Sequence, residues 1–174
     1  MAFKTTFKAA PLAFTLALST LYAPALAGDA ECQTIRASFD AVAAAPAYKQ
    51  TIDMKAQGMV MEGVVIGDVI YMNPDGSRWV KLPLKKGGRK GMLDQIMSMS
   101  AISACAIART ETLSAGDMLV YDYMMAPPKG LPGAGDAPAK HQIWIGTKDG
   151  LVHRLVSEGI NVTLTYGAIE APIP

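Results

Sequence analysis

Few side chains in this sequence have the types and spacing of a catalytic or metal site. The two histidines, His141 and His153, fall on neighbouring predicted strands, but no third ligand and no H-E-x-x-H motif accompanies them. No serine lies in a G-x-S-x-G turn, and the acidic residues are scattered. The sequence therefore predicts no catalytic residue, no metal site and no cofactor.

Methionine is the most unusual component, with 11 residues. Local clusters occur at Met59-x-Met61, Met97-x-Met99 and Met124-Met125. Residues two apart on a strand share a face, so such a pair could hold Cu(I), which prefers soft thioether ligands. The alternative is an adaptable apolar lining, because methionine is flexible and polarisable. Without neighbouring histidines, the pattern favours a lining that accepts acyl chains.

Residues 1–27 have the features of an export signal. Lys4 and Lys8 form a basic start, an apolar segment follows over 9–21, and Ala25-Leu26-Ala27 is a small-x-small cleavage site. A retained anchor is the alternative, although the segment is short for a membrane span. Cleavage would leave one domain, 28–174, in the periplasm or outside the cell. No cysteine follows the cleavage site directly, so a lipid anchor is not predicted.

Export also bears on the charge and on the two cysteines, Cys32 and Cys105. Loss of two lysines with the signal would change the formal net charge from +1 to −1, which argues against a nucleic-acid partner. An oxidising compartment favours a disulfide between the cysteines. Two buried free thiols or a redox pair are the alternatives, and no C-x-x-C motif supports the latter.

The first half of the predicted domain contains a helix and then strands. Cys32, Ile35, Phe39 and Val42 recur every three or four residues, which predicts an amphipathic helix after an N-cap at Asp29. An alternating strand is predicted over 48–57, a single strand apolar on both faces over 60–72, and its hairpin partner over 78–82. One face of the later strand 103–113 is predicted to carry Cys105, Ile107 and Arg109.

Two glycine-containing segments interrupt this pattern. Residues 85–91 are basic and predicted to be a loop; contact with anionic lipid or an acidic partner is the functional interpretation, and a solvated loop is favoured. A short helix is predicted over 92–100. Residues 126–139 contain four prolines and three glycines, which is typical of a long loop that binds a ligand or partner.

The C-terminal third predicts three strands over 141–166, with a turn at Lys148-Asp149-Gly150. The fold class is therefore α+β: an antiparallel meander of about seven or eight strands, with an N-terminal helix and a short second helix on one face. No internal repeat or second domain is visible in the sequence.

The C-terminal third of the sequence also carries the motif W-x-x-x-x-x-G-L-x-x-R-L, followed by VTLTYGAIEAPIP. Its defined positions are Trp144, Gly150, Leu151, Arg154 and Leu155. With the export signal, the N-terminal helix and the meander, this pattern resembles the periplasmic lipoprotein-carrier superfamily of the LolA and LppX type. The resemblance covers the order of elements through most of 28–174.

The resemblance implies a strongly curved, open antiparallel sheet, a half β-barrel, with helices covering its concave face. It also implies a non-catalytic carrier that holds acyl chains in that concavity, and a functional arginine for which Arg78 and Arg109 are the candidates. The absence of a lipobox makes the chain more similar to the soluble shuttle than to anchored receptors. Its short length predicts a small cavity.

We therefore predict a soluble periplasmic binding protein or carrier for a lipid, a lipoprotein acyl chain or another hydrophobic molecule. The same apolar residues could instead form a dry core. The second hypothesis is an envelope adaptor or structural protein that binds a protein partner through 126–139 and a sheet edge. An enzyme is the third, with no residues to support it. The predicted cavity lining is Ile52, Met54, Val64, Ile66, Tyr71, Trp79, Met118, Val120, Ile143 and Ile145.

Overall fold

The structure is a computed structural model, and it describes residues 28–74, 76–85, 87–127 and 137–172. The predicted export signal, 1–27, lies outside these residues, as does 128–136 within the predicted proline-rich loop. The described elements, in chain order, are α1 (Asp29–Ala44), β1 (Ala47–Met54), a 3₁₀ turn (Lys55–Gln57), β2 (Met59–Ile66), β3 (Val69–Asn73), β4 (Val80–Pro83), α2 (Gly88–Met99), β5 (Ile102–Leu113), β6 (Gly116–Met125), β7 (Ala139–Gly146), β8 (Val152–Ser157) and β9 (Ile160–Tyr166).

The described strands form one antiparallel sheet in the order β4-β3-β2-β1-β9-β8-β7-β6-β5. Pairing of β1 with β9 joins the N-terminal hairpins to the C-terminal meander. Within the described residues, β4 and β5 form the two edges, so the curved sheet is not closed. The predicted α+β class is confirmed, and the described sheet has more strands than predicted.

Helix α1 follows the predicted stripe. Ile35 is fully buried and Val42 nearly so. The helix begins at Asp29 with Gly28 as its cap, so the predicted N-cap was one residue late. The Glu31 carboxylate accepts the Gly28 N–H at 3.0 Å and satisfies one of the free donors of the first turn. The helix ends at Ala44, two residues before Pro46.

The predicted single strand over 60–72 is wrong, because the structure has the hairpin β2–β3 there. The turn consists of Gly67, with a φ of 52°, and Asp68. This left-handed conformation suits glycine. Apolar residues on both faces conceal the turn in the sequence pattern, since Val64 and Val65 are both buried but on opposite faces.

Helix α2 begins four residues before the predicted start, so residues 88–91 are helical and the loop predicted over 85–91 is shorter. The Asp68 carboxylate accepts the backbone N–H of Arg89 at 3.0 Å, at the N-terminus of the helix. A cap supplied from 21 positions away cannot be recognised from local spacing. No helix among the described residues is long and apolar enough to cross a membrane.

Strand β5 is irregular, with register shifts against β6 between Ser103 and Ala106 and between Ile107 and Arg109. Simple alternation predicts that residues two apart on this strand share a face, but the register shifts place some of them on opposite faces. Cys105 joins the core under α1, whereas Arg109 pairs with Val120 on the opposite face. The predicted common face of Cys105, Ile107 and Arg109 is therefore wrong.

The predicted disulfide between Cys32 and Cys105 is confirmed, and their Cα atoms lie 5.3 Å apart. It attaches α1 to β5 across a separation of 73 residues. We call the sheet face beneath α1 the inner face and the opposite one the outer face. The outer cluster consists of Met118, Val120 and Trp144, with Leu113 and Val156 against it. The buried inner core consists of Ile35, Val42, Tyr48, Val65, Ile102, Cys105, Tyr121, Tyr123, Ile143, Ile145, Val152 and Leu164.

Candidate functional site

An apolar cleft of about 270 Å³ lies between the two helices and the inner face. Most of its lining is aliphatic, aromatic or thioether, and the side chains come from both helices and four neighbouring strands. The lining residues are Phe39, Leu93, Ile96, Met97, Tyr123, Met125, His141, Leu155, Val156, Ser157, Ile160 and Val162. Of these, Val156 borders the cleft but packs its side chain on the outer cluster.

Regular spacing on each element brings these side chains together. Leu93 and Met97 are four residues apart on α2 and therefore share one face of the helix. Leu155 and Val162 are directly paired across β8 and β9. Ile160 is 40% exposed, which makes the cleft open to solvent at this end of β9.

The polar groups in the cleft are uncharged near neutral pH. His141 stacks on Tyr123, with ring centroids 5.3 Å apart and an angle of 25° between the rings. Burial lowers the pKa of His141, and it raises the pKa of Tyr123 to about 12. This pair therefore presents two neutral rings to a ligand and favours an apolar chain over an ion.

The apolar surface continues beyond the helices along the inner face. Met59, Val80 and Leu82 are 42%, 39% and 47% exposed. Each pairs with another apolar residue of the inner face: Met59 with Met54, Val80 with Met72, and Leu82 with Ile70. Met54 in turn pairs with Ile160 across β1 and β9, so Met59 and Met54 adjoin the open end of the cleft. Val80 and Leu82 lie further away on the edge strand β4, in register with Gln50 and Tyr48 of β1.

The ten residues predicted as a cavity lining do not share one face. Ile52, Met54, Ile143 and Ile145 lie on the inner face. By strand register, the opposite face carries Val64, Ile66, Tyr71, Met118 and Val120. Trp79 lies in the link between β3 and β4 and is half-buried. No single cavity can contain all ten, and none of them lines the cleft described above.

The two histidines occupy different environments. His153 lies 3.0 Å from the Asp149 carboxylate and meets Tyr166 edge-on, whereas His141 stacks in the cleft. Among the residues that the structure describes, no three His, Cys, Asp or Glu side chains are grouped as a metal site would require.

The arginines proposed from the resemblance lie away from the cleft. Arg78 is exposed in the link before β4. Arg109 lies over the Trp144 ring on the outer face, 5.3 Å from its centroid, and binds Glu111 at 2.9 Å. Arg154 lies over the same ring at 4.8 Å, and the indole N–H donates to Glu111 at 3.0 Å. Trp144 and Arg154 of the motif thus form a structural cluster on the outer face.

Sequence reasoning missed Arg89, which is only 6% exposed. Its guanidinium lies over Tyr48, with Cζ 5.7 Å from the ring centroid. Within a basic, glycine-rich segment it resembles a solvated charge. Its helical spacing could have indicated burial. Arg89 lies four residues before Leu93 and eight before Met97, so it falls on the same face of α2 as these apolar residues.

The comparisons with known proteins relate the fold to a solved structure. No family model matches the chain, and no curated protein does. The crystal structure of the lipoprotein LppX of Mycobacterium tuberculosis is similar, with a TM-score of 0.50 and 14% sequence identity. The similarity covers 83% of this chain and 97% of that one. At this identity it shows a common fold alone.

Proposed function

We propose that this protein is an extracytoplasmic, non-catalytic carrier or binding protein for a hydrophobic molecule, whose apolar chain occupies the cleft under α2. The observation that carries the proposal is the continuity of the cleft, through Ile160 and Met54, with the exposed Met59 on the inner face. Soluble proteins seldom expose such contiguous surfaces without an interaction to use them. The fold likeness to a lipoprotein of the LppX type supports the same class of function.

The volume of the cleft limits how much of a ligand it can enclose. Its volume of about 270 Å³ is just below the usual range of ligand pockets, roughly 300–1,000 Å³. We therefore expect the cleft to enclose part of the ligand, while the remainder lies along Met54 and Met59 on the inner face beyond Ile160.

Export through residues 1–27 remains part of this proposal. The disulfide supports it, since such bonds persist chiefly in oxidising compartments. Native mass spectrometry of protein purified gently from the periplasm tests location and ligand together. We expect a mature mass beginning at Gly28 and an additional mass from a bound amphiphile. A clean apo mass, with no uptake of a fluorescent fatty acid, would overturn the carrier proposal.

A substitution at the mouth of the cleft tests its position. Ile160→Trp should obstruct the opening and weaken binding of a fluorescent fatty acid about tenfold, or about 1.4 kcal/mol. Val60→Trp is the matched control, because Val60 is also an exposed β-branched residue but pairs with Asp53 on the outer face. Equal effects of the two substitutions would place the ligand elsewhere.

The adaptor hypothesis has less support in the described residues. Its loop lies largely outside them, over 128–136. Of the two sheet edges, β4 has four residues and β5 has two register shifts and carries Arg109 and Glu111, which are features that oppose strand addition. Deletion of 128–136 should therefore leave fatty-acid binding intact. Loss of a captured envelope protein in the deletion variant would favour the adaptor.

A further inference from the structure

Arg89 is a buried charge without a counter-charge among the described residues. The residue is only 6% exposed to solvent. Its Nε and Nη1 atoms have no hydrogen-bond acceptor in the part of the chain that the structure describes. No ion pair there involves its guanidinium. An unpaired buried charge is costly, so a protein rarely retains one without a use for it.

The nearest groups offset this cost only in part. The Asp68 carboxylate is directed at the backbone N–H of Arg89 and serves the helix N-terminus. The face of Tyr48 attracts the cation, but it accepts no conventional hydrogen bond at the guanidinium. Tyr166 lies beyond Tyr48, with ring centroids 6.0 Å apart, and donates its hydroxyl hydrogen to the Val152 carbonyl.

Arg89 lies on α2 one helical turn before the cleft, although it is not itself among the lining residues. It precedes Leu93 by four residues and Met97 by eight, and both of these line the cleft. One helical turn rises about 5.4 Å, so the base of the Arg89 side chain is about one turn beyond the lining at Leu93. On the sheet, Tyr48 pairs with Tyr166 on β9, the strand that supplies Val162 to the lining.

We propose that Arg89 binds the anionic head group of an amphiphile whose apolar chain occupies the cleft. The head group carries a carboxylate or a phosphate, and either would accept charge-assisted hydrogen bonds from the buried guanidinium. The neutral His141–Tyr123 pair would lie beside the chain. This inference rests on the proposed carrier function and specifies the ligand class.

Calorimetric titration with three ligands of equal chain length tests it. Laurate and dodecyl phosphate carry an anion, whereas 1-dodecanol does not. The wild-type protein should bind the better of the two anions about 30-fold more tightly than dodecanol, or about 2 kcal/mol. The preferred anion then distinguishes a carboxylate from a phosphate head group.

Arg89→Met should abolish that preference and leave dodecanol affinity unchanged, while Arg78→Met, an exposed control, should retain it. Because Arg89→Met removes an unpaired charge, its melting temperature without ligand should not fall. If the wild-type protein binds all three ligands equally tightly, the head-group inference is overturned and the carrier function is not. This comparison needs only the wild-type protein, so it can be made even if the variant fails to fold. An equal loss of all three in Arg89→Met would also overturn the head-group inference. Failure of all three to bind the wild-type protein would overturn the carrier function as well.

Discussion

The two faces of the sheet each bring guanidinium groups onto an aromatic ring, and they balance the charge differently. On the outer face, Arg109 and Arg154 lie over Trp144, and Glu111 binds both Arg109 and the indole N–H. On the inner face, Arg89 lies over Tyr48, and no described carboxylate pairs with its guanidinium.

This difference separates a structural cluster from a candidate binding group. In the outer cluster the arginines have hydrogen-bond acceptors, since Arg109 donates to Glu111 and Arg154 donates to Asn161, so substitution of the cluster should alter stability and leave ligand affinity unchanged. The inner arginine has unused hydrogen-bond donors next to an apolar cleft, so its substitution should do the reverse.

Removal of the disulfide by the double substitution Cys32→Ser and Cys105→Ser should have the largest effect on stability. The bond closes a loop across 73 residues, so the chain-entropy model predicts a loss of about 4 kcal/mol in the free energy of unfolding. Equilibrium urea denaturation measures it. Because the bond attaches α1 above the inner face, ligand affinity should fall too; unchanged affinity would show that the cleft does not need this attachment.

Trp144→Ala should destabilise the protein by about 3 kcal/mol, because it removes a large buried side chain and leaves two arginines and Glu111 without their common partner. Affinity for 1-dodecanol, measured by calorimetry at a temperature where the variant is folded, should change less than about twofold. If Trp144→Ala lost stability and dodecanol affinity together, the outer cluster would not be independent of ligand binding.

Trp144→Phe should be milder, at about 1 kcal/mol, because the buried ring is largely retained and only its hydrogen-bonding N–H and some area are lost. Urea denaturation beside Trp144→Ala gives the comparison. If both variants lose the same stability, the indole N–H rather than the packing of the ring supports the outer cluster.

Acid should weaken the outer cluster. The Trp144 N–H, and then Arg109, lower the pKa of Glu111 below its ordinary value of 4.5. A lowered folded-state pKa gives a contribution that is complete above 4.5 and is lost as the pH falls through the folded value. Between pH 6 and about pH 3, the melting temperature of Glu111→Gln should therefore fall less than that of the wild-type protein, as measured by thermal denaturation. Arg89→Met should keep the wild-type decline.

Local patterns predicted much of the fold because they depend on backbone geometry over a few residues. The stripe of Ile35 and Val42 predicts α1, and the C-terminal alternation predicts β7 to β9. The same method failed over 60–72, where apolar residues on both faces concealed the Gly67-Asp68 turn. It also placed the start of α2 too late, because Asp68 caps that helix from a distant hairpin.

The cavity prediction shows a further limit of the sequence pattern. Alternation on β6 correctly groups Met118 with Val120, and on β7 it groups Ile143 with Ile145. It does not tell whether these two groups face the same side. The pairing of Val120 with Trp144 and of Tyr121 with Ile143 places them on opposite sides.

Periodicity and composition were thus enough to predict the fold class, the amphipathic first helix, most strands and the cysteine pair. Three properties needed the folded chain: which apolar face the helices cover, where the covered area ends, and the burial of Arg89 on α2 one turn before the cleft. These properties depend on contacts between distant segments, such as β1 with β9 and Asp68 with Arg89. Burial and charge balance are set by such contacts, which local spacing does not encode.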